Sequence, residues 1–191
     1  MDFNKLSTLL CNTVYPKPSS GNQRAYADLI EEKASALART HYPNEFVPAR
    51  TVRSPEDFVL DLDTTYLIDV KTRQLNTEFN MPNLISVDRL DRILSDQTKD
   101  LYYWLIDYSV NDQGECSISH STIRAIWTMP WSALAIQNLG KGQLQIKDWT
   151  AMDQQYAGSR ETWLGDLRIQ RRQFYLKQAQ KFQKMAEKIR V

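Results

Sequence analysis

The 191-residue sequence has only two cysteines and two histidines, carries no excess of either charge, and contains no apolar run of membrane-spanning length. Cys11 and Cys116 stand far apart and form no CxxC pair, which argues against a cysteine-built zinc site and fits a reduced compartment. His41 and His120 have no ligand spacing, so a histidine-held zinc or a histidine base is not expected. With 24 Lys and Arg against 23 Asp and Glu, the formal net charge is +1, and any case for nucleic acid must rest on local charge. The N-terminus shows no basic segment followed by a signal-type apolar run, and no repeat or low-complexity tract is visible. These absences predict a cytoplasmic protein without membrane association, folded as one domain over 1–191 that is large enough for a substantial core.

What is present reads as α/β (α+β). Residues 2–12 predict a short helix, followed by the turn-rich Tyr15-Pro-Lys-Pro-Ser-Ser-Gly21. Asn22 is a candidate cap for a helix over 23–41, with Tyr26, Leu29, Ile30, Ala34 and Leu37 on one face and Pro43 just beyond its end. Residues 85–94 have helical spacing, with Arg89 and Arg92 on the polar side. Aromatic and β-branched stretches at 101–108 and 123–128, parted by the turn Asn111-Asp-Gln-Gly114, bring the expected strands to at least four. From about Ser159 to Val191 a long helix is predicted, with Leu167, Phe174, Phe182, Met185 and Ile189 on a stripe. Arg168, Arg171, Arg172, Lys177, Lys181, Lys184 and Lys188 enrich the rest of it in positive charge. By itself that segment reads as a core-packing helix with a solvated basic face. Beside a centre for phosphate chemistry it becomes a surface for DNA phosphates, whose contacts position a duplex without reading it.

The densest chemistry lies in 57–71. Asp-Phe-Val-Leu-Asp-Leu (57–62) and Tyr-Leu-Ile-Asp-Val-Lys (66–71) have strand length, and Asp63-Thr64-Thr65 supplies turn residues, so a hairpin is expected. Side chains alternate along a strand, which puts Asp69 and Lys71 on one face; a three-residue loop at 63–65 would set Asp57 opposite Lys71 on that face. Asp-x-Lys also ends many solvated strands. Here, however, Asp69 follows the apolar Tyr66-Leu-Ile, where a carboxylate needs a cation or hydrogen bonds to offset desolvation.

Mg²⁺ takes oxygen ligands, keeps several waters, and needs one or two protein carboxylates besides a substrate phosphate. Asp57 and Asp69 are the candidate ligands, with the backbone carbonyl of Val70 as a third oxygen; Asp61, of the same strand parity, competes with Asp57. Lys71 would orient the attacking water and offset charge on the phosphoryl oxygens. As an ammonium beside carboxylates it is a poor proton acceptor, so metal-bound water is the better hydroxide source. In the loop that follows, Asn76, Asn80 and Asn83 are candidate readers, since asparagine can bind adenine bidentately, although Asn76 also suits a turn.

The stretch Leu67-Ile-Asp-Val-Lys-Thr-Arg73 with Met81-Pro-Asn-Leu-Ile-Ser86 resembles the catalytic and recognition segment of type II restriction endonucleases of the HincII/HindII kind, within the PD-(D/E)xK nuclease superfamily. A second block in the same order, Ile136-Gln137, Gln143-Leu-Gln145 and Gly158-Ser-Arg-Glu-Thr-Trp163, is similar to the closing part of the same enzymes. The resemblance implies a restriction-endonuclease-like fold with a central mixed β-sheet flanked by helices. It implies a homodimer on palindromic double-stranded DNA, two Mg²⁺-dependent sites, and cuts leaving 5′-phosphates. Asp57 and Asp69 match its metal-binding aspartates and Lys71 its lysine. Asn83, with Asn80, Gln137 and Arg73, falls to DNA contact in a recognition loop at 74–84 and beyond.

The chain is shorter before the hairpin than these enzymes, its loop 75–81 differs, and the Asp57 to Asp69 spacing needs a one-residue gap, all of which leave the recognised sequence open. A companion DNA methyltransferase follows from this reading, because a host must protect its own sites. Two rivals are a PD-(D/E)xK repair or junction nuclease, and a catalytically silent DNA-binding protein with the same fold.

Overall fold

The computed structural model describes residues 3–11, 13–18, 24–51, 54–78, 82–137 and 142–189. The chain runs α1 (Phe3–Leu10), β1 (Val14–Tyr15), α2 (Arg24–His41), β2 (Phe46–Pro48), β3 (Phe58–Asp61), β4 (Thr65–Gln74), β5 (Asn83–Ser86) and α3 (Val87–Ser95). It continues through β6 (Lys99–Val110), β7 (Cys116–Ala125), a 3₁₀ turn (Ile126–Thr128), β8 (Leu134–Gln137), β9 (Gln143–Ile146), a second 3₁₀ turn (Thr150–Asp153) and α4 (Arg160–Glu187). It divides into two compact units, 1–80 with 96–126 and 81–95 with 127–191. Among the described residues no helix is long and apolar enough to cross a membrane.

In the first unit six strands lie in the order β1-β7-β6-β4-β3-β2. The β4–β6 pair is parallel and its neighbours are antiparallel, which makes the sheet mixed. Strand β6 holds its central place because nearly all of Asp100–Tyr108 is buried, as a strand covered on both faces requires. One face of the sheet packs Phe58, Leu60, Ile68, Val70, Trp104 and Ile106 against Leu6 and Leu10 of α1 and Ile30, Ala34 and Ala38 of α2. The alanines one turn apart let α2 approach closely.

Trp104 is sealed in this core, and its Nε1 donates to Ser121 Oγ at 2.7 Å. Ser121→Ala leaves that buried donor unpaired, and a loss of about 1–3 kcal/mol in urea unfolding is expected.

The second unit pairs β5, β9 and β8 antiparallel, with β9 central. Ser159 caps α4, its side chain accepting from the Thr162 N–H at 3.2 Å. Trp163 then plugs the core, stacking on Trp131 at 4.8 Å between centroids and donating from Nε1 to the Met129 carbonyl. Before β9, Gly142 takes φ +95°, where a side chain would strain the backbone and press on Val87, Ile136 and Phe174.

Several expectations shift. The hairpin turn is 62–64, not 63–65, because Thr65 already belongs to β4: its N–H donates to the Thr98 carbonyl at 2.8 Å. The helix expected over 85–94 begins at Val87, since Asn83–Ser86 is spent on pairing with β9. The strand expected at 123–128 starts earlier, at Cys116, and ends at Ala125, where the chain tightens into a 3₁₀ turn. The apolar stripe of the last helix is only partly used: Leu167 is buried, whereas Phe182, Met185 and Ile189 are exposed. The candidate cap Asn22 lies outside the described residues.

Candidate active site and base-contact residues

Strand β3 pairs with β4 in the register Phe58↔Ile68, and β4 runs on to Gln74. Beyond Ile68, therefore, β4 presents an edge that β3 does not cover. Asp57, one residue ahead of β3, turns into that gap: its N–H donates to the Ile68 carbonyl at 2.8 Å, and its Oδ2 accepts from the Val70 N–H at 2.7 Å. The register sets Asp57 across from Asp69 rather than Lys71, a consequence of the turn lying one residue earlier.

A strand residue directs its N–H and C=O to the same edge, so the Val70 carbonyl opens toward Asp57 as well. Asp69 and Lys71 share a face as alternation requires, and Lys71 Nζ donates to Asp69 Oδ1 at 2.7 Å. Asp57, Asp69, Lys71 and the Val70 backbone thus converge. Asp61 does not: it pairs with Thr65 at the far end of the hairpin, exposed, its Oδ1 accepting from Thr65 Oγ1 at 2.9 Å.

The electrostatics of this cluster are unbalanced. Burial pushes the Asp69 carboxyl up to about 7; the Lys71 ammonium pulls it down, and the neighbouring Asp57 carboxylate pushes it up again. Burial likewise raises Glu31 of α2 to about 7, with the Asp57 charge adding to it and Lys71 opposing. Tyr103, beside Asp69 in the β4–β6 register, is buried, and its hydroxyl has no hydrogen-bond partner among the described residues. Burial and then the charge of Asp69 hold that phenol well above its ordinary range.

Two adjacent carboxylates with one ammonium between them leave negative charge that the protein neutralises only in part. A hard divalent cation suits such a site, and Mg²⁺ asks for no more than two carboxylates. Among the described residues no three of His, Cys, Asp and Glu gather. The donors present here are carboxylate and carbonyl oxygens, the kind a hard cation takes.

The residues expected at DNA are distributed as follows. Arg73 places its guanidinium on Asp107, Nε to Oδ1 at 2.8 Å and Nη2 to Oδ2 at 2.6 Å, so its fork already serves the fold. Asp107 is buried; Asp107→Ala strands the cation, and a loss of about 2–3 kcal/mol in thermal or urea unfolding is expected, below the ~3–5 kcal/mol of sealed pairs because Arg73 keeps some exposure. Asn76 takes φ 62°, the left-handed turn conformation that asparagine tolerates. Asn80 lies outside the described residues. Asn83 opens β5, exposed, its Oδ1 accepting from Gln145 Nε2. Gln137 ends β8 opposite Gln143, half-buried. On α4, Arg168 and Arg171 are paired with Asp91 and Asp88 of α3, leaving Lys177, Lys181, Lys184 and Lys188 as an exposed stripe at helical spacing.

Sequence reasoning missed Glu31, Tyr103 and Gln145. For Glu31 a signal existed: it borders the apolar face of α2, and the small residues Ala27, Ala34 and Ser35 lie one turn away, which lets a carboxylate near a sheet. Tyr103 gave none, and Gln145 stood in the resembling block Gln143-Leu-Gln145 without a role of its own, since cross-strand register places both.

A search of protein-family models and a search of curated protein sequences each return no match. Among solved structures, the chain is similar to NlaIV restriction endonuclease, with a TM-score of 0.52 and 16% identity, over 75% of this chain and 65% of that one. The chain therefore spans about two-thirds of the length of that neighbour. The likeness establishes a restriction-endonuclease-like fold, in which a mixed central sheet is flanked by helices.

Proposed function

We propose that this protein is a Mg²⁺-dependent double-stranded DNA endonuclease, the restriction component of a type II restriction-modification system. The observation that carries the reading is the convergence of Asp57, Asp69 and Lys71 where β4 outruns β3, with Val70 bonded to Asp57. The fold shared with a restriction endonuclease supports it.

In this reading Asp57, Asp69 and the Val70 carbonyl would hold Mg²⁺, which would supply Lewis-acid neutralisation of the phosphoryl oxygens and a lowered pKa for attacking water. Lys71, anchored on Asp69, gives its remaining N–H donors to the water and the scissile phosphate, keeping the nucleophile in line. Hydrolysis leaves a 5′-phosphate. A homodimer on a palindrome would cut both strands, and a companion methyltransferase would protect host sites. The lysine stripe of α4 suits phosphate contacts, with Asn83 and Gln137 available to bases.

The test is incubation of the purified protein with unmethylated plasmid and genomic DNA in Mg²⁺ and in EDTA, followed by end sequencing. Discrete Mg²⁺-dependent fragments sharing one short palindrome are expected. Cutting without a shared site would replace this reading with a repair or junction nuclease, and binding without cutting with a silent DNA-binding protein.

A further inference from the structure

Gln145 sits at the centre of the β5-β9-β8 sheet and is 6% exposed. A primary amide buried to that degree normally finds partners for both of its ends. Gln145 does so at one end only: Nε2 donates to Asn83 Oδ1, while Oε1 has no hydrogen-bond partner among the described residues. Apolar Leu144 and Ile146 flank it in sequence and pack on the opposite face, so the fold gains nothing evident from an amide at this position. Its one bond runs to an exposed asparagine at the start of the edge strand β5.

That bond fixes which way the Asn83 amide faces. An exposed asparagine can exchange its oxygen and nitrogen by rotating about its last side-chain bond, and the two orientations present opposite patterns to a ligand. With Oδ1 held by Gln145, the Nδ2 donors are turned away from the sheet, and one Oδ1 lone pair remains. A donor beside an acceptor is the pattern that matches adenine N7 and N6 in the major groove.

We propose that Gln145 is a positioning residue for base recognition: it locks Asn83 in the amide orientation that reads adenine. The proposal rests on the DNA reading above and extends it from phosphodiester chemistry to a named base and a residue that does not itself touch DNA.

The full-length protein is used to select bound duplexes from a randomised library in Ca²⁺, so that preference is read independently of cutting. Mg²⁺ cleavage of the winning duplex is measured separately. The wild type is expected to select a motif with a fixed adenine. In Asn83→Ala preference for that adenine falls roughly tenfold to hundredfold, with the other positions kept. Gln145→Glu has the same shape but no donor, so Asn83 must turn its nitrogen inward and its oxygen out. The outward donor to adenine N7 is then lost, and adenine preference at that position falls. A merely structural Gln145 would change the melting temperature and leave base preference alone.

If Gln145→Glu does not fold, Gln145→Met supplies the readout by losing adenine preference. The proposal is overturned if the wild type selects no adenine that depends on Asn83, or if a folded Gln145 variant keeps the wild-type preference. A selected motif that is bound but never cut in Mg²⁺ would sink the nuclease reading and leave this one standing.

Discussion

Lys71→Ala is expected to lower single-turnover cleavage in Mg²⁺ by roughly 10²–10³-fold while duplex binding in Ca²⁺ stays near that of the wild type. Two losses combine. In the proposed mechanism the first is the ammonium that would contact water and phosphate, an interaction at full strength only as charge builds on the phosphoryl oxygens. The second acts through Asp69: its carboxyl is already raised to about 7 by burial, and Lys71 is the largest influence pulling it down. Without the ammonium the carboxyl goes higher, and at neutral pH a proton would compete for the oxygen assigned to the proposed Mg²⁺.

The two losses separate by pH. If the second contributes, the deficit of Lys71→Ala shrinks as pH rises from 7 to 9, because alkali removes the competing proton. Lys71→Arg preserves the charge beside Asp69 but alters the geometry at the phosphate, so it should show the first loss without the pH-dependent one. A Lys71→Ala enzyme that cuts at the wild-type rate would remove Lys71 from the mechanism. A flat deficit across pH would remove only its influence on Asp69.

The hairpin was legible in the sequence because two physical signals agree there: alternating apolar residues and a cluster of turn-forming side chains. What failed was the count at the turn. Thr65 looks like a turn residue, yet its N–H is taken by the Thr98 carbonyl and its hydroxyl by Asp61, so it belongs to the strand. Moving the turn back by one moved Asp57 from opposite Lys71 to opposite Asp69. Asp57 still lies against the strand that carries Asp69 and Lys71, because its N–H bonds the Ile68 carbonyl and its side chain accepts from the Val70 N–H.

Elsewhere the missing information was tertiary. The apolar stripe of α4 is plain in the sequence, but what would bury it is not, and past Leu167 the described residues leave Phe182, Met185 and Ile189 open. Residues 81–95 sit between β4 and β6 in sequence yet fold with 127–191, an interleaving that no local pattern encodes. Arg73 resembles a DNA contact by context, and only the parallel register Arg73↔Asp107 reveals its buried partner.

The second large effect concerns stability and runs opposite to activity. Asp69 and Glu31 both have folded-state pKa values near 7, above their ordinary 3.8 and 4.5. For such groups the folded state holds its protons more tightly than the unfolded chain. Their stabilising contribution is therefore complete below about pH 4 and is lost as pH rises through 7. In EDTA the wild type should accordingly lose stability between pH 5 and pH 8, on the order of a few kcal/mol and mostly from Asp69, since solvent screens the more exposed Glu31. Asp57→Asn removes the one carboxylate that raises both groups, and it keeps an oxygen for the Val70 N–H.

The variant is therefore expected to be catalytically dead, yet about 1–2 kcal/mol more stable than the wild type in EDTA at pH 8, with little difference at pH 4. Mg²⁺ should reverse the order at pH 8, since it stabilises only a folded state that binds it, and a neutral amide in place of the Asp57 carboxylate weakens that binding. Urea unfolding of both proteins at the two pH values, with EDTA and with Mg²⁺, measures all of this. If Asp57→Asn is no more stable than the wild type at pH 8 in EDTA, the carboxylates do not strain one another. The convergence of Asp57 and Asp69 would then be ordinary hydrogen bonding at a strand end, not a cluster held together for a cation.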